Sequence, residues 1–210
     1  MATQQLAFER GGEKRVELSW DFNWRNFTIK LDNQLIGTIE GGMKAIKEGR
    51  DFTLPDGSTL HVGLKPLSSG VSALAVMHNG KVLPGSAADP VRRLRNAYWI
   101  IYILAATILF VGLGSLFSGT PDTTSWIVFG AGLVLLALGY FTAQRSTVAL
   151  LAAILLLLAG AIYGFYDAVA MASQVQIPAI IRVLGALSTL YFLWLGLGAI
   201  KELKQEETGA

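Results

Sequence analysis

The sequence predicts a membrane α-helical bundle, four transmembrane helices joined to an N-terminal all-β cytosolic domain. Three observations carry that prediction. Hydrophobic residues make up 52% of the 210-residue chain and charged ones 15%, with mean hydropathy +0.49, a balance that belongs to lipid rather than to a soluble fold. Between positions 98 and 200 the only charged residues are Asp122, Arg145, Asp167 and Arg182. Residues 1–90, in contrast, mix ten basic with ten acidic side chains and alternate short apolar runs with turn residues.

The first element is a cytosolic β-rich domain, residues 1–84. Within 13–83 the runs RVELSW, RNFTIKL, QLIGTIE, DFTLP, STLHVGL, SALAVMHN and KVLPG read as strands, because apolar residues recur at short spacing between turn signals. Asp32–Asn33, Asp56–Gly57 and Asn79–Gly80 lie between these runs, and such pairs supply the positive φ angles of tight hairpins. GGMKAIKEGR, at 41–50, is a helical turn or a wide loop. A segment of this size buries one modest core, as a small sandwich or open barrel. Residues 1–18 carry polar and charged residues throughout and no continuous apolar run, so no signal peptide is expected.

A turn-prone stretch, GSAADP, opens a linker and basic juxtamembrane segment at 85–97 that holds Arg92, Arg93 and Arg95. The transmembrane domain, 98–200, follows, with spans at about 99–117, 126–142, 148–166 and 180–200. At roughly 1.5 Å per residue each approaches the hydrocarbon thickness. Residues 167–177 either connect spans three and four or lie along the outer surface as an interfacial helix. Residues 201–210 form a charged cytosolic tail. Arg92, Arg93 and Arg95 precede span one, Arg145 separates spans two and three, and Lys201 and Lys204 follow span four. With four spans these basic residues share one face, which the retention of Lys and Arg on the cytoplasmic side identifies as inside. The expectation is therefore N-in and C-in, in a bacterial inner membrane or an equivalent internal membrane. Tyr98, Trp99, Trp126, Tyr140, Tyr163, Tyr166 and Trp194 fall where interfacial aromatic belts form.

The chemistry open to the chain is narrow. Without cysteine, disulfides, thiol catalysis and thiolate metal sites are excluded. His61 and His78 are the only histidines; no third ligand stands at a diagnostic spacing, so both are read as strand-surface residues. No catalytic residue, metal site or cofactor is predicted, and the charge-balanced β domain offers no basic surface for nucleic acid. Asp167 and Arg182 are positioned to form an outer ion pair. Gly160 and Gly164 make a small-xxx-small motif suited to helix packing, within the bundle or between subunits. Arg92, Arg93 and Arg95 suit topology and anionic headgroups.

The order LDNQLIGTIEGGMKAIKEGRDFTLPDGSTLHVGL, then a loop, then ALAVMHNGKVLPGS resembles the β-domain of the Fas apoptotic inhibitory molecule family. Asn79, Gly80 and Lys81 match that family's late Asn-Gly-Lys turn and Phe52 its strand phenylalanine, over about a third of the chain. The resemblance implies an all-β, non-catalytic interaction domain; the family lacks a four-span membrane part. The expected function is accordingly non-enzymatic: a multi-pass membrane protein that self-associates and whose cytosolic β-domain binds or positions a protein partner at the lipid bilayer. The alternative is a small homo-oligomeric channel or transporter with a ring of β-domains, its pore lined by Thr107, Ser115, Ser188 and Thr189.

Overall fold

The computed structural model describes residues 1–117, 122–170 and 177–208, with side chains throughout these except at 165, 167–170 and 177–183. The chain divides into two compact units, Met1–Arg92 and Arg93–Ala210.

The first unit holds eight strands in two antiparallel meanders. β1 (Ala2–Ala7), β2 (Lys14–Trp20), β3 (Phe27–Leu31) and β4 (Gln34–Ile39) form one sheet in sequence order. β5 (Arg50–Thr53), β6 (Thr59–Pro66), β7 (Ser72–His78) and β8 (Lys81–Val82) form the other. A short helix, α1 (Met43–Glu48), connects the sheets. All seven runs read as strands from the sequence are strands. β1 is the addition: ATQQLA carries little apolar periodicity, yet it pairs in register with β2 from Ala2↔Trp20 to Leu6↔Val16 and buries Leu6 completely. Its strand conformation comes from pairing rather than from propensity.

One core is shared by both sheets. Leu6, Val16, Leu18, Phe27, Ile29 and Ile39 from the first meet Leu60, Val62, Leu74 and Val76 from the second, with Ile46 of α1 among them. A β-bulge lets Ile29 pair with Gly37 while Lys30 pairs with Leu35. The extra residue moves Leu35 to the outer face, where it is exposed, and leaves Ile36 packed against the core. Gly37 is required by a close approach: a Cβ there would lie 2.4 Å from the Phe52 ring of β5. The turns follow the predicted chemistry. Asp32 and Asn33 have φ of 50° and 64°, Asn79 and Gly80 48° and 80°, which makes both two-residue hairpins of the primed type. At Asp56–Gly57 only Gly57 is left-handed (φ 81°), inside a wider loop closed by Leu54 N–H to Ser58 O.

Residues 85–92 of the expected linker belong to this unit. Leu83 N–H donates to Val76 O, Ala88 N–H to Leu74 O and Gln4 Nε2 to Gly85 O, so residues 83–88 are strapped across the sheets. Asp89 then caps a helix. Its Oδ1 accepts from Val91 N–H at 3.0 Å and from Arg10 at 3.3 Å, and its Oδ2 from Gly85 N–H. Pro90 follows at the first helical position, where its missing N–H costs nothing.

The second unit is helical. α2 (Pro90–Leu116), which begins in the first unit, leads to α3 (Thr123–Ala143), α4 (Thr147–Ala170) and α5 (Ile177–Thr208). Among the described residues four helices are long and apolar enough to cross a membrane, with only 17–33% of each apolar window buried. Residues 90–97 are thus the first turns of α2, and 201–208 of the expected charged tail are the last turns of α5. The interfacial reading of 167–177 falls largely outside the described residues.

Within the chain, close helix contacts fall at Gly112, Gly132 and Gly196. A Cβ at Gly112 would meet the Phe129 backbone at 2.8 Å, at Gly132 the Leu109 side chain at 2.6 Å, and at Gly196 the Ala97 Cβ at 2.6 Å. At Gly160 and Gly164 a Cβ meets nothing within 4 Å, so among the described residues neither closes a helix contact.

Candidate functional site

The two histidines belong to separate local networks. Pairing of Leu60 with His78 and of His61 with Met77 puts His78 on the face that carries Leu60 and His61 on the opposite face. They cannot share a ligand. His61 Nδ1 lies 2.7 Å from Asp51 Oδ1, its cross-strand partner. His78 Nε2 lies 2.8 Å from Ser58 Oγ, and Ser58 Oγ lies 2.5 Å from Asp56 Oδ1. This serine, histidine and aspartate have the wrong connectivity for nucleophilic activation. The hydroxyl donates its proton to Asp56, so His78 donates to the serine oxygen instead of accepting from it. The Ser58 hydroxyl and amide hold the Asp56 carboxyl below its usual range, which suits a turn clasp. Among the described residues no group of three or more His, Cys, Asp or Glu side chains could hold a metal ion.

A different place in the β unit is built at local cost. Between β2 and β3 the chain runs through Asn23 (φ 61°), Trp24 (φ 62°) and Asn26 (φ 52°). Asparagine tolerates this left-handed region, but tryptophan there is an outlier. Trp24 is drawn inward by stacking on Trp20, centroids 5.2 Å apart and planes 13° apart, which itself stacks on Phe27. Asp21 N–H to Arg25 O at 2.8 Å and Asn26 Nδ2 to Asp21 Oδ2 at 2.8 Å close the loop. With Trp24 inside, Phe22 is left outside at 94% exposure. The loop borders an open cleft of about 420 Å³ lined by Asn23, Arg25, Asn26, Glu40, Gly41, Gly42 and Met43.

The energetics do not explain Phe22 by stability. Stacking contributes about 0.5–1.5 kcal/mol per aromatic pair, which offsets about 1–2 kcal/mol for the left-handed Trp24. Leaving a phenylalanine in water forgoes a further 1.5–3 kcal/mol or so that burial would supply. Residues 21–26 extend from the Ala2↔Trp20 end of the first sheet. Sequence reading passed over this loop; the run of Phe22, Trp24 and Phe27 among asparagines was the available signal.

The predicted basic cluster divides by environment. Arg92 donates to Gly85 O. Arg93 is 5% exposed and pairs with Glu202 of α5. Arg95 is exposed, which leaves it as the member of the trio facing outward. At the same end of the helical unit Arg145 pairs with Glu207, and Lys204 Nζ lies 3.4 Å from Thr147 Oγ1. The start of α2, the α3–α4 turn and the end of α5 therefore meet, and they carry the basic residues that the sequence assigned to one face. At the far end Asp122 caps α3, accepting from Ser125 N–H and Oγ. The side chains of Asp167 and Arg182 lie outside the described residues. Of the pore candidates, Thr107 donates to Ile103 O and Ser115 to Gly112 O, on their own helices.

No family model, curated protein or solved structure matches this chain.

Proposed function

We propose that this is a non-enzymatic multi-pass membrane protein, N-in and C-in, whose cytosolic β unit docks a protein partner through the Phe22 loop and its adjoining cleft. The carrying observation is Phe22 itself, an almost fully exposed aromatic in a loop that holds Asn23, Trp24 and Asn26 at positive φ. Strain and exposed apolar surface persist where they serve recognition, and exposed aromatics make effective interface anchors. The family resemblance of residues 31–86 points the same way, toward an interaction domain.

The test places a photo-crosslinking residue at Phe22 or, as a control, at exposed Ser72, in the full-length protein in native membranes. A discrete protein adduct from position 22 that is absent from position 72, and lost on Arg25→Glu, is the expected result. Equal products from both positions, or adducts only to lipid, would overturn the assignment. An adduct of twice the protein's own mass would make the partner a second copy of the chain.

A further inference from the structure

We propose that Arg145 alone orients the α3–α4 hairpin in the bilayer, and that it is retained for its charge at a backbone position better suited to glycine. This rests on the membrane-spanning reading above. α3 ends in a Schellman arrangement: Ser146 N–H donates to Phe141 O at 3.1 Å and Arg145 N–H to Thr142 O at 2.9 Å. The residue in the left-handed position is Arg145, with φ 64°. Glycine is the usual occupant because a Cβ is strained there. Ser146 immediately caps the next helix, its Oγ accepting from Ala149 N–H at 3.2 Å. The turn thus works through backbone groups and the Ser146 hydroxyl. The arginine side chain takes no part in it and instead reaches Glu207.

The charge has a separate use. Between Asp122 and Asp167 the chain contains one charged residue, Arg145. The hairpin therefore carries a cation at one end and acids at the other. Orientation follows Lys and Arg close to span ends, while acidic residues count for little, so Arg145 supplies the hairpin's whole orienting charge. Arg92, Arg93 and Arg95 belong to α2, and Lys201 and Lys204 to α5. With a connection of only three residues, Gln144 to Ser146, a basic residue has few places to stand, and the left-handed one is where it stands.

The chain has no cysteine, so single cysteines report without background. Gln144→Cys and Thr123→Cys mark the two ends of the hairpin in the full-length protein in sealed vesicles of known sidedness. Labelling by a membrane-impermeant maleimide is read before and after permeabilisation. With Arg145 present, each site labels from one face, the two from opposite faces, with at least about tenfold preference. Arg145→Gly scrambles both sites to near-equal labelling, whereas Arg145→Lys and Glu207→Gln remain sided. If Arg145→Gly does not accumulate, Arg145→Asn, neutral and tolerant of the left-handed region, gives the same reading. Retained sidedness in the neutral variants would overturn the proposal. So would scrambling by Glu207→Gln, which would assign orientation to the ion pair. If both sites of the unaltered hairpin label from one face, the membrane-spanning reading itself fails.

Discussion

The two units handle apolar surface in opposite ways. In the β unit it is turned inward: Phe27, Ile29, Leu18 and Ile39 are fully buried, and only Met1, Phe22, Leu35 and Met43 stand out as exposed large hydrophobics. In the helical unit apolar surface faces outward as well as inward. Phe110, Trp126, Val148, Ile162, Tyr163 and Tyr166 are each more than half exposed. An exterior of that kind is stable against hydrocarbon and not against water. The polar contacts are also arranged differently. The β unit forms its hydrogen bonds mainly in ladders and turns, while the ion pairs of the helical unit, among the described residues, gather at one end, around Arg93, Arg145, Glu202 and Glu207.

The comparison predicts that a core lesion in one unit leaves the other standing. Phe27→Ala, at a fully buried site between the sheets, should destabilise the β unit by about 3–5 kcal/mol. Hydrogen exchange on the detergent-solubilised protein should then lose protection throughout β1 to β8 while α2 to α5 keep theirs. Loss in both units would mean that the division is not energetic.

Next in size is the contrast between glycines of the helical unit. Gly132→Leu forces a side chain into Leu109 and should cost about 3 kcal/mol, at the upper end for overpacking. Gly160→Leu, facing open space, should leave the thermal midpoint of the monomer unchanged. If the two substitutions are equally harmful, Gly160 packs against something in the assembled protein.

Glu202→Ala removes the carboxylate that pairs with the nearly buried Arg93 side chain. Its expected cost is about 2 kcal/mol, below the full penalty for a wholly buried pair because Glu202 retains 20% of its exposure. The double change Arg93→Met with Glu202→Leu should recover most of that loss in the same thermal assay.

The smallest effect is acid sensitivity of the β unit. Hydrogen bonds from Arg15 hold the Asp32 carboxyl below 3.8, and the Ser58 hydroxyl and amide do the same for Asp56. A carboxylate with a lowered folded pKa contributes stability that is present above its unfolded value and lost as pH falls through the folded one. Protection in β2, β3 and the β5–β6 loop should therefore be flat above about pH 5 and decline below about pH 4. Arg15→Ala should flatten the decline in β2 and β3. An unchanged profile would remove Asp32 as its source.

Legibility in the sequence followed the locality of the cause. Strands with apolar alternation and Asn-Gly or Asp-Asn turns were readable because the signal and the structure sit in the same few residues. β1 was not, because its conformation depends on β2. The start of α2 was readable in principle, since Asp89 followed by Pro90 is a cap and a first helical residue; its composition read instead as a linker. The register shift that exposes Leu35 has no local mark in QLIGTIE. Arg93 and Glu202 are 109 positions apart, so nothing near Arg93 distinguishes it from Arg92 or Arg95. Trp24 leaves the extended region because Trp20 and Phe27 stack on it, a tertiary cause, and the exposure of Phe22 follows from that choice.

The central proposal is that the four apolar helices span a membrane with both ends of the chain on one face. Protease protection in sealed vesicles of defined orientation tests it most directly, followed by mass analysis of the surviving fragment. The account predicts that protease on the cytoplasmic face removes the β unit and the end of α5, leaving a protected core from α2 to α5, and that protease on the other face leaves the chain almost whole. Removal of the β unit and of the α5 end from opposite faces would contradict it, as would release of the intact protein by an alkaline wash.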